Sequence, residues 1–405
     1  MKVAIIGCGF AGLSAALEIK HHEVTIFERS SELLPVGAGI LLQPLGMAVL
    51  EQFEILNEVI GLGDRISLLS GSNTKGKQIL NLEYSKYDPN RFGLGIHRGY
   101  LFKEVLKKVN QKEIKIKLGE NVSTVTSYNG RYKFISNEKE YTDFDIVIAC
   151  NGAKSTLRNK LKGWRYQREY PWGAFWGVFK NEGIATDVLY QKYAGTKQLF
   201  GLLPCGKNPV TDEKIVNFFW SIRKNHVNQT IQNGIESFKN EVFDLDNSSE
   251  SVLTQIDSFD DLIFTTYHDV YCNKWNHDNL IFIGDSIHGM SPQLGIGLNM
   301  ALFDGYLLGQ VLNSPTFKID DLTKLKNYRH RQNLYYHLTS QLLTRFFQSD
   351  FNILGAFRDL VFPKLPHIRP LDQLMIDSLC GHKTGFFGTK SPHEQIEEFS
   401  NQITY

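Results

Sequence analysis

The chain has 405 residues, too many for one simple core and suited to two or three interleaved domains. Its 44 lysines and arginines balance 43 aspartates and glutamates, for a net charge of +1, which gives no electrostatic case for a nucleic-acid partner. The five cysteines (Cys8, Cys150, Cys205, Cys272 and Cys380) are scattered, odd in number and without C-x-x-C or Cys/His metal spacing, so a reduced, cytoplasmic setting with no metal is expected.

Residues 3 to 6 are a short apolar run of the kind that forms a strand buried on both faces. A strand starting at residue 2 leaves no signal peptide to expect, and no apolar run approaches the ~20 residues of a membrane span, so no integral membrane segment is expected. Gly7-Cys8-Gly9-Phe10-Ala11-Gly12 follows and fits G-x-G-x-x-G. Residues 11 to 20 then read as a helix with Leu13, Ala16 and Leu17 on one face. Strand, glycine turn and helix in this order bind a dinucleotide. The first glycine allows the tight turn, the second admits a pyrophosphate, and the third lets helix and strand pack closely. The helix start adds free N–H groups and a partial positive charge. A second buried strand, residues 23 to 28, ends on Glu28, placed to accept hydrogen bonds from a ribose. Its carboxylate repels a 2′-phosphate, so the tight ligand is FAD or NAD rather than NADP.

Residues 29 to 45, with Pro35, Gly37, Gly39 and Pro44, read as a long loop, and residues 46 to 62 as one helix. Residues 65 to 82 alternate enough for strands. Arg98 opens a helix carrying Leu101, Val105 and Val109. A cation is unfavourable at that end of the dipole, which leaves two readings: an anion such as a cofactor phosphate lies nearby, or Arg98 is a solvated surface residue. Residues 114 to 148 read as short strands, residues 121 to 125 among them. A third buried strand ends at Cys150 and runs into Asn151-Gly152-Ala153, a turn suited to a ligand at the strand's carboxyl end. Between residues 164 and 263 the aromatic runs Trp172 to Phe179 and Phe218 to Trp220, with Tyr190 and Phe200, follow at hairpin spacing. They predict a mostly antiparallel sheet. Trp172, Phe175, Trp176, Tyr190, Phe200, Phe218 and Trp220 are the candidate walls of a pocket for a flat, apolar ligand. Residues 226 to 262 are polar and helical, an outer cover. A fourth buried strand, residues 279 to 283, leads into Gly284-Asp285 and a glycine-rich loop through Gly295-Ile296-Gly297-Leu298-Asn299, which feeds another helix. Residues 320 to 348 are helical, the tail beyond reads as short helices broken by Pro363, Pro366 and Pro370, and the last fifteen residues are polar and expected to fray.

Three of these motifs, Gly7 to Gly12, Asn151-Gly152 and Gly284-Asp285, together with the segment Asp285-x-x-His288-x-x-x-Pro292-x-x-Gly295-x-Gly297-x-Asn299, resemble the para-hydroxybenzoate-hydroxylase-like (group A) flavin monooxygenases. The resemblance implies an α/β fold: a Rossmann-type FAD-binding domain with an inserted, mostly antiparallel substrate domain and a helical C-terminal region. The corresponding boundaries are 1–72, 94–163 and 264–345 for the cofactor, 73–93 and 164–263 for the substrate, and 346–405 for the helical region. It implies that Gly7, Gly9, Phe10, Ala11 and Gly12 hold the FAD pyrophosphate, and Glu28, with Arg29 beside it, the adenosine ribose. Val122 lends backbone to the adenine, Arg98 meets phosphates or ribityl chain, and Asp285 bonds ribityl hydroxyls. Pro292, Gly295, Gly297, Leu298 and Asn299 border the flavin ring. The family's D-G motif has Asn151 in place of aspartate, which keeps hydrogen bonding but loses charge, and the glutamine of its G-Q-G is Ile296.

The activity so implied uses bound FAD, transient NAD(P)H and O2 to hydroxylate an aromatic or polyketide-like small molecule through a C4a-hydroperoxyflavin, protected in a dry cavity. No catalytic residue is assigned: His288 reads as structural, His97 and Tyr190 have no particular case, and Lys154 and Arg158 read as braces of the turn. A flavin halogenase is disfavoured, since Trp172-Gly-Ala-Phe-Trp176 does not fit that class's Trp-x-Trp-x-Ile-Pro run. An FAD-dependent reductase or dehydrogenase and a non-catalytic FAD-binding protein stay open. For the tail from Phe351 to Phe387, with apolar residues among basic ones, packing on the core and contact with a membrane surface are the two readings.

Overall fold

A computed structural model describes residues 1–34 and 37–404; Pro35, placed by its sequence in a loop, lies outside the described residues. The strand Lys2–Ile6 has both faces covered, and its apolar run lies at the centre of a six-stranded sheet. The order is Asn276–His277, Leu280–Phe282, Ile146–Ala149, Lys2–Ile6, Glu23–Phe27, Lys115–Lys117. All neighbours are parallel except the first pair. Helix Phe10–Glu18, buried along its whole length, packs against helix Gly297–Leu312. The two approach closely because Gly305 has no side chain: a Cβ there would stand 2.4 Å from the Ala11 carbonyl oxygen. A three-stranded meander carries Phe134, Tyr141 and Phe144, which meet Phe27 edge-on with centroids 4.9–5.8 Å away.

The second body is a seven-stranded sheet ordered Ile263–Cys272, Arg165–Lys180, Lys214–Arg223, Gln198–Lys207, Val188–Ala194, Leu68–Asn73, Gln78–Glu83. It is antiparallel apart from the Val188–Ala194 and Leu68–Asn73 pair. Helices Val227–Asn233, Ile235–Leu245 and Glu250–Leu253 bring Phe238, Val242, Val252 and Leu253 into a cluster with one of its faces. Two expected boundaries shift. Residues 68 to 72 and 264 to 272, assigned from motif positions to the cofactor part, belong to this sheet, because membership is fixed by the hydrogen-bond ladder.

Other local expectations are corrected as well. Residues 121 to 125 form no strand, although Val122 and Val125 are buried. Residues 44 to 62 make two helices, Pro44–Gln52 and Leu56–Leu62, separated where Glu54 takes φ 58°. The polar C-terminus forms helix Pro392–Thr404 rather than fraying, since Ile396 and Phe399, three apart on one face, enter the main core. Before it come helix Asp321–Phe347, helix Asn352–Val361, a 3₁₀ segment Phe362–His367 and helix Arg369–Cys380.

Candidate active site

The three glycine motifs, far apart in sequence, converge on one cavity of about 830 Å³. At its dinucleotide end Gly7 takes φ +110°, and a Cβ there would stand 2.6 Å from the Cys150 carbonyl oxygen, so the turn between the two central strands admits only glycine. Gly12 lies behind the cavity wall: its missing Cβ would meet the Gly7 carbonyl oxygen at 2.2 Å, which lets the helix rest on the strand. Gly9, Phe10 and Ala11 line the cavity at the helix start, and Glu28, Arg29 and Val122 line it nearby. The Glu28 carboxylate accepts backbone N–H bonds from Cys8 (2.8 Å) and Ser30 (3.0 Å), which fixes it at the strand end. Burial, then Glu28, pushes the Cys8 thiol up to about 12, so it stays protonated and offers no nucleophile.

Arg98 opens helix Arg98–Gln111, lies over the Phe10 ring at 5.4 Å and lines the cavity with Asp285. Desolvation by the surrounding protein lowers its pKa, and the Asp285 carboxylate raises it. Asn151, Gly152, Lys154, Pro292, Gly295, Gly297 and Leu298 complete this part of the lining. Asn299 does not reach the cavity. It is fully buried, accepts the Gln43 N–H (2.8 Å) and donates to the Gly295 carbonyl (2.9 Å), bracing the glycine loop from behind. Ile296 is packed in the core, so the departure from G-Q-G leaves the cavity wall unchanged in polarity.

These residues fit FAD. Gly9 and Gly152 from the first two motifs and Gly297 from the loop after the third all border the cavity, and among the described residues nothing lies within 4 Å of where a Cβ of any of them would be. The Oδ1 atom of Asn151 is buried at the wall with no partner among the described residues, a cost that a bound group offsets by donating to it. The helix starts at Phe10 and Gly297 offer free N–H groups, and the Glu28 carboxylate an acceptor, which is the chemistry that a pyrophosphate, a ring-edge oxygen and a ribose require.

The other end of the cavity is walled by the seven-stranded sheet, and here the expected residues are corrected. Register sets Trp176, Phe219, Gly201 and Gln191 side by side on one face, and Phe175, Trp220 and Phe200 on the other. Gln191, Leu199, Gly201, Leu203, Asn217 and Phe219 line the cavity. Phe175, Phe200, Phe218 and Trp220 are buried with the covering helices, Tyr190 packs beside them, and its hydroxyl donates to Asp246. Trp172 and Trp176 lie on the cavity side of the sheet but outside the lining, with Trp176 Nε1 donating to Thr265 Oγ1 (2.9 Å). The period of two makes a one-residue error a change of face. No charged residue comes from the sheet wall, which adds Leu69 and Leu189.

A family model described as an FAD binding domain matches residues 1–334. The chain belongs to the FAD-binding-domain family. This flavoprotein is similar to 2-heptyl-3-hydroxy-4(1H)-quinolone synthase of Pseudomonas aeruginosa, 23% identical over 332 residues that cover 77% of this chain and 80% of the relative. It is also similar to 6-methylpretetramide 4-monooxygenase of Streptomyces rimosus, 24% identical, with 76% and 74% covered. Among solved structures, Klebsiella pneumoniae HpxO complexed with FAD and uric acid aligns with a TM-score of 0.79 at 16% identity, covering 94% of this chain and 97% of that one. Pseudomonas aeruginosa PqsL in complex with 2-aminobenzoylacetate gives 0.76 at 19%, covering 88% and 99%. The flavoprotein is thus an oxidoreductase of the para-hydroxybenzoate-hydroxylase-like monooxygenase type.

Behind the flavoprotein's Gly284-Asp285 turn lies a buried ionic cluster. Asp304 is the sole charge in helix Gly297–Leu312. It accepts from the Gly284 N–H (3.0 Å), Arg329 Nε (2.8 Å) and His288 Nε2. Burial alone raises its pKa, but His288 and Arg329 outweigh that and hold it at about 2. His288 is therefore engaged away from the cavity, and Arg158, also buried, donates to the Ser286 and Ala153 carbonyls at 2.6 Å each. Asp304 was legible as a lone acid in an otherwise uncharged helix, and its partner Arg329 left no such mark.

Proposed function

We propose that the flavoprotein uses NAD(P)H and O2 to hydroxylate an uncharged aromatic or polyketide-like small molecule, working in the cytoplasm. The supporting observation is one continuous cavity whose dinucleotide half fits FAD and whose sheet half is walled by Leu69, Leu189, Leu199, Leu203 and Phe219. FAD, when bound, supplies the electron transfer and oxygen activation. The protein's part is position and dryness. The aliphatic wall excludes water and takes a flat ring by its faces. Gln191 and Asn217 give that wall its polar contacts, and the Asn217 carboxamide is held in place by the Gly39 N–H at 2.9 Å. At the opposite side, the start of helix Gly297–Leu312 favours negative charge at the wall. The relatives' names, a quinolone synthase and a pretetramide monooxygenase, agree with ring substrates of this kind. All five cysteines are free and buried, which suits a reducing compartment.

The test is a flavin absorbance spectrum of the purified protein, then NADH and NADPH oxidation with O2 uptake measured against phenols, quinolones and polyketides. Substrate-stimulated oxidation, matched by O2 uptake and a product one oxygen heavier, is expected. Oxidation without O2 uptake would make the protein a reductase, and flavin that neither nucleotide bleaches would make it a non-catalytic binder.

A further inference from the structure

Helix Asn352–Val361 has two unlike faces. Inward, the buried Arg358 donates to the Gly195 carbonyl (2.9 Å) and the Phe346 carbonyl (3.0 Å), which locks the helix in one orientation on the sheet hairpin. Outward, Ile353 (81% exposed), Phe357 and Leu360, at spacings of four and three, face solvent. Phe357 stacks on Phe346 of the long helix (6.1 Å), where Leu342 is also exposed; Ile368, which caps helix Arg369–Cys380, and Leu371 and Leu374 within that helix are further exposed apolar residues. An apolar surface of this extent on a folded chain marks a docking site.

Charge decides its occupant. Each acid between residues 338 and 374 is already neutralised: Asp350 by Arg223 (3.1 Å), Asp359 by Arg358 (2.7 Å) and Asp372 by Lys86 (2.6 Å). Arg345, Lys364 and Arg369 are exposed and make no ion pair among the described residues. An apolar face studded with uncompensated cations is complementary to an anionic lipid surface. It opposes a second copy of the same face, since a two-fold axis would bring these cations against one another. No described helix is long and apolar enough to cross a membrane, so contact is confined to the interface.

We propose that this outward face is a peripheral docking surface for anionic membranes. Helix Arg369–Cys380, which turns Leu371 and Leu374 outward, also sends Leu379 to the cavity, so a bilayer there lies beside the apolar half of the site.

Full-length protein is co-sedimented with phosphatidylcholine vesicles, with and without phosphatidylserine. Binding is expected to anionic vesicles and to be at least about tenfold weaker to neutral ones. Arg345→Glu/Lys364→Glu lowers the anionic partition coefficient by at least about tenfold. Ile353→Asp/Leu360→Asp abolishes it, with flavin content and melting temperature unchanged because both side chains face solvent. Absence of sedimentation, equal binding to both vesicle types, or binding that survives Ile353→Asp/Leu360→Asp overturns the proposal. So does a dimer in light scattering that this double variant converts to monomer, which would give the face to a second copy.

Discussion

Gly9→Ala and Gly12→Ala, three residues apart in one turn, are expected to have opposite consequences. At Gly9 the backbone is extended (φ −82°, ψ −179°), a conformation alanine adopts freely, and no atom of the described residues lies within 4 Å of the new methyl. Losing glycine at the helix N-cap costs about 0.5–1 kcal/mol, and the lower entropy of the unfolded chain offsets a similar amount. Flavin-free Gly9→Ala should therefore unfold within about 1 kcal/mol of wild type. With the pyrophosphate placed against this turn, as proposed, the methyl occupies the space of its approach to the backbone. Displacing one N–H bond to a charged group costs about 1.5–3 kcal/mol, so the FAD dissociation constant should rise roughly 10- to 150-fold. At Gly12 the methyl would stand 2.2 Å from the Gly7 carbonyl oxygen and 2.9 Å from Cys150 Sγ, so helix and strand must separate. Overpacking of this kind costs about 1–3 kcal/mol, and it appears with no flavin present. Urea unfolding of the stripped proteins and fluorescence titration with FAD measure both quantities. A Gly9→Ala apoprotein destabilised by more than about 2 kcal/mol, or one that binds FAD like wild type, would refute the reasoning.

Phe218→Ala should cost about 3–5 kcal/mol in unfolding, because the ring is fully buried under the covering helices, whereas Phe219→Ala should chiefly change KM for the ring substrate. Asp304→Asn leaves Arg329 buried without its anion and should cost about 3–5 kcal/mol; adding Arg329→Met should recover part of that, and strictly additive denaturant midpoints would contradict the coupling. Burial lowers the His337 pKa from 6.5 to about 4, so the folded state keeps it neutral while the unfolded chain takes up a proton. Stability should be full above pH 6.5 and fall by about 3 kcal/mol as pH drops toward 4, and His337→Phe should flatten that slope in a melting-temperature series.

The cofactor half was legible in the chain because its signals are local. A glycine turn between a buried strand and a helix announces itself within a dozen residues, and Gly7, Gly152 and Gly284 do take the positive φ that makes such turns glycine-dependent. The substrate half was legible as a mostly antiparallel sheet, but the face it turns to the cavity was not. Strand Lys214–Arg223 sets Val216, Phe218, Trp220 and Ile222 on one face and Asn217, Phe219 and Ser221 on the other, and this alternation marks the more apolar face without saying which of the two borders a cavity. Only the packing of residues 227 to 253 on one side, and of the cofactor part on the other, gave Phe218 to the core and Phe219 to the cavity. The same holds for Asn299, which reads as a ligand residue in its motif and becomes a brace once Gln43 is brought beside it. Sequence specifies where the backbone must bend. Which side chains face the resulting space is settled by partners from other elements of the fold, because burial is a property of the assembled layers and not of the strand.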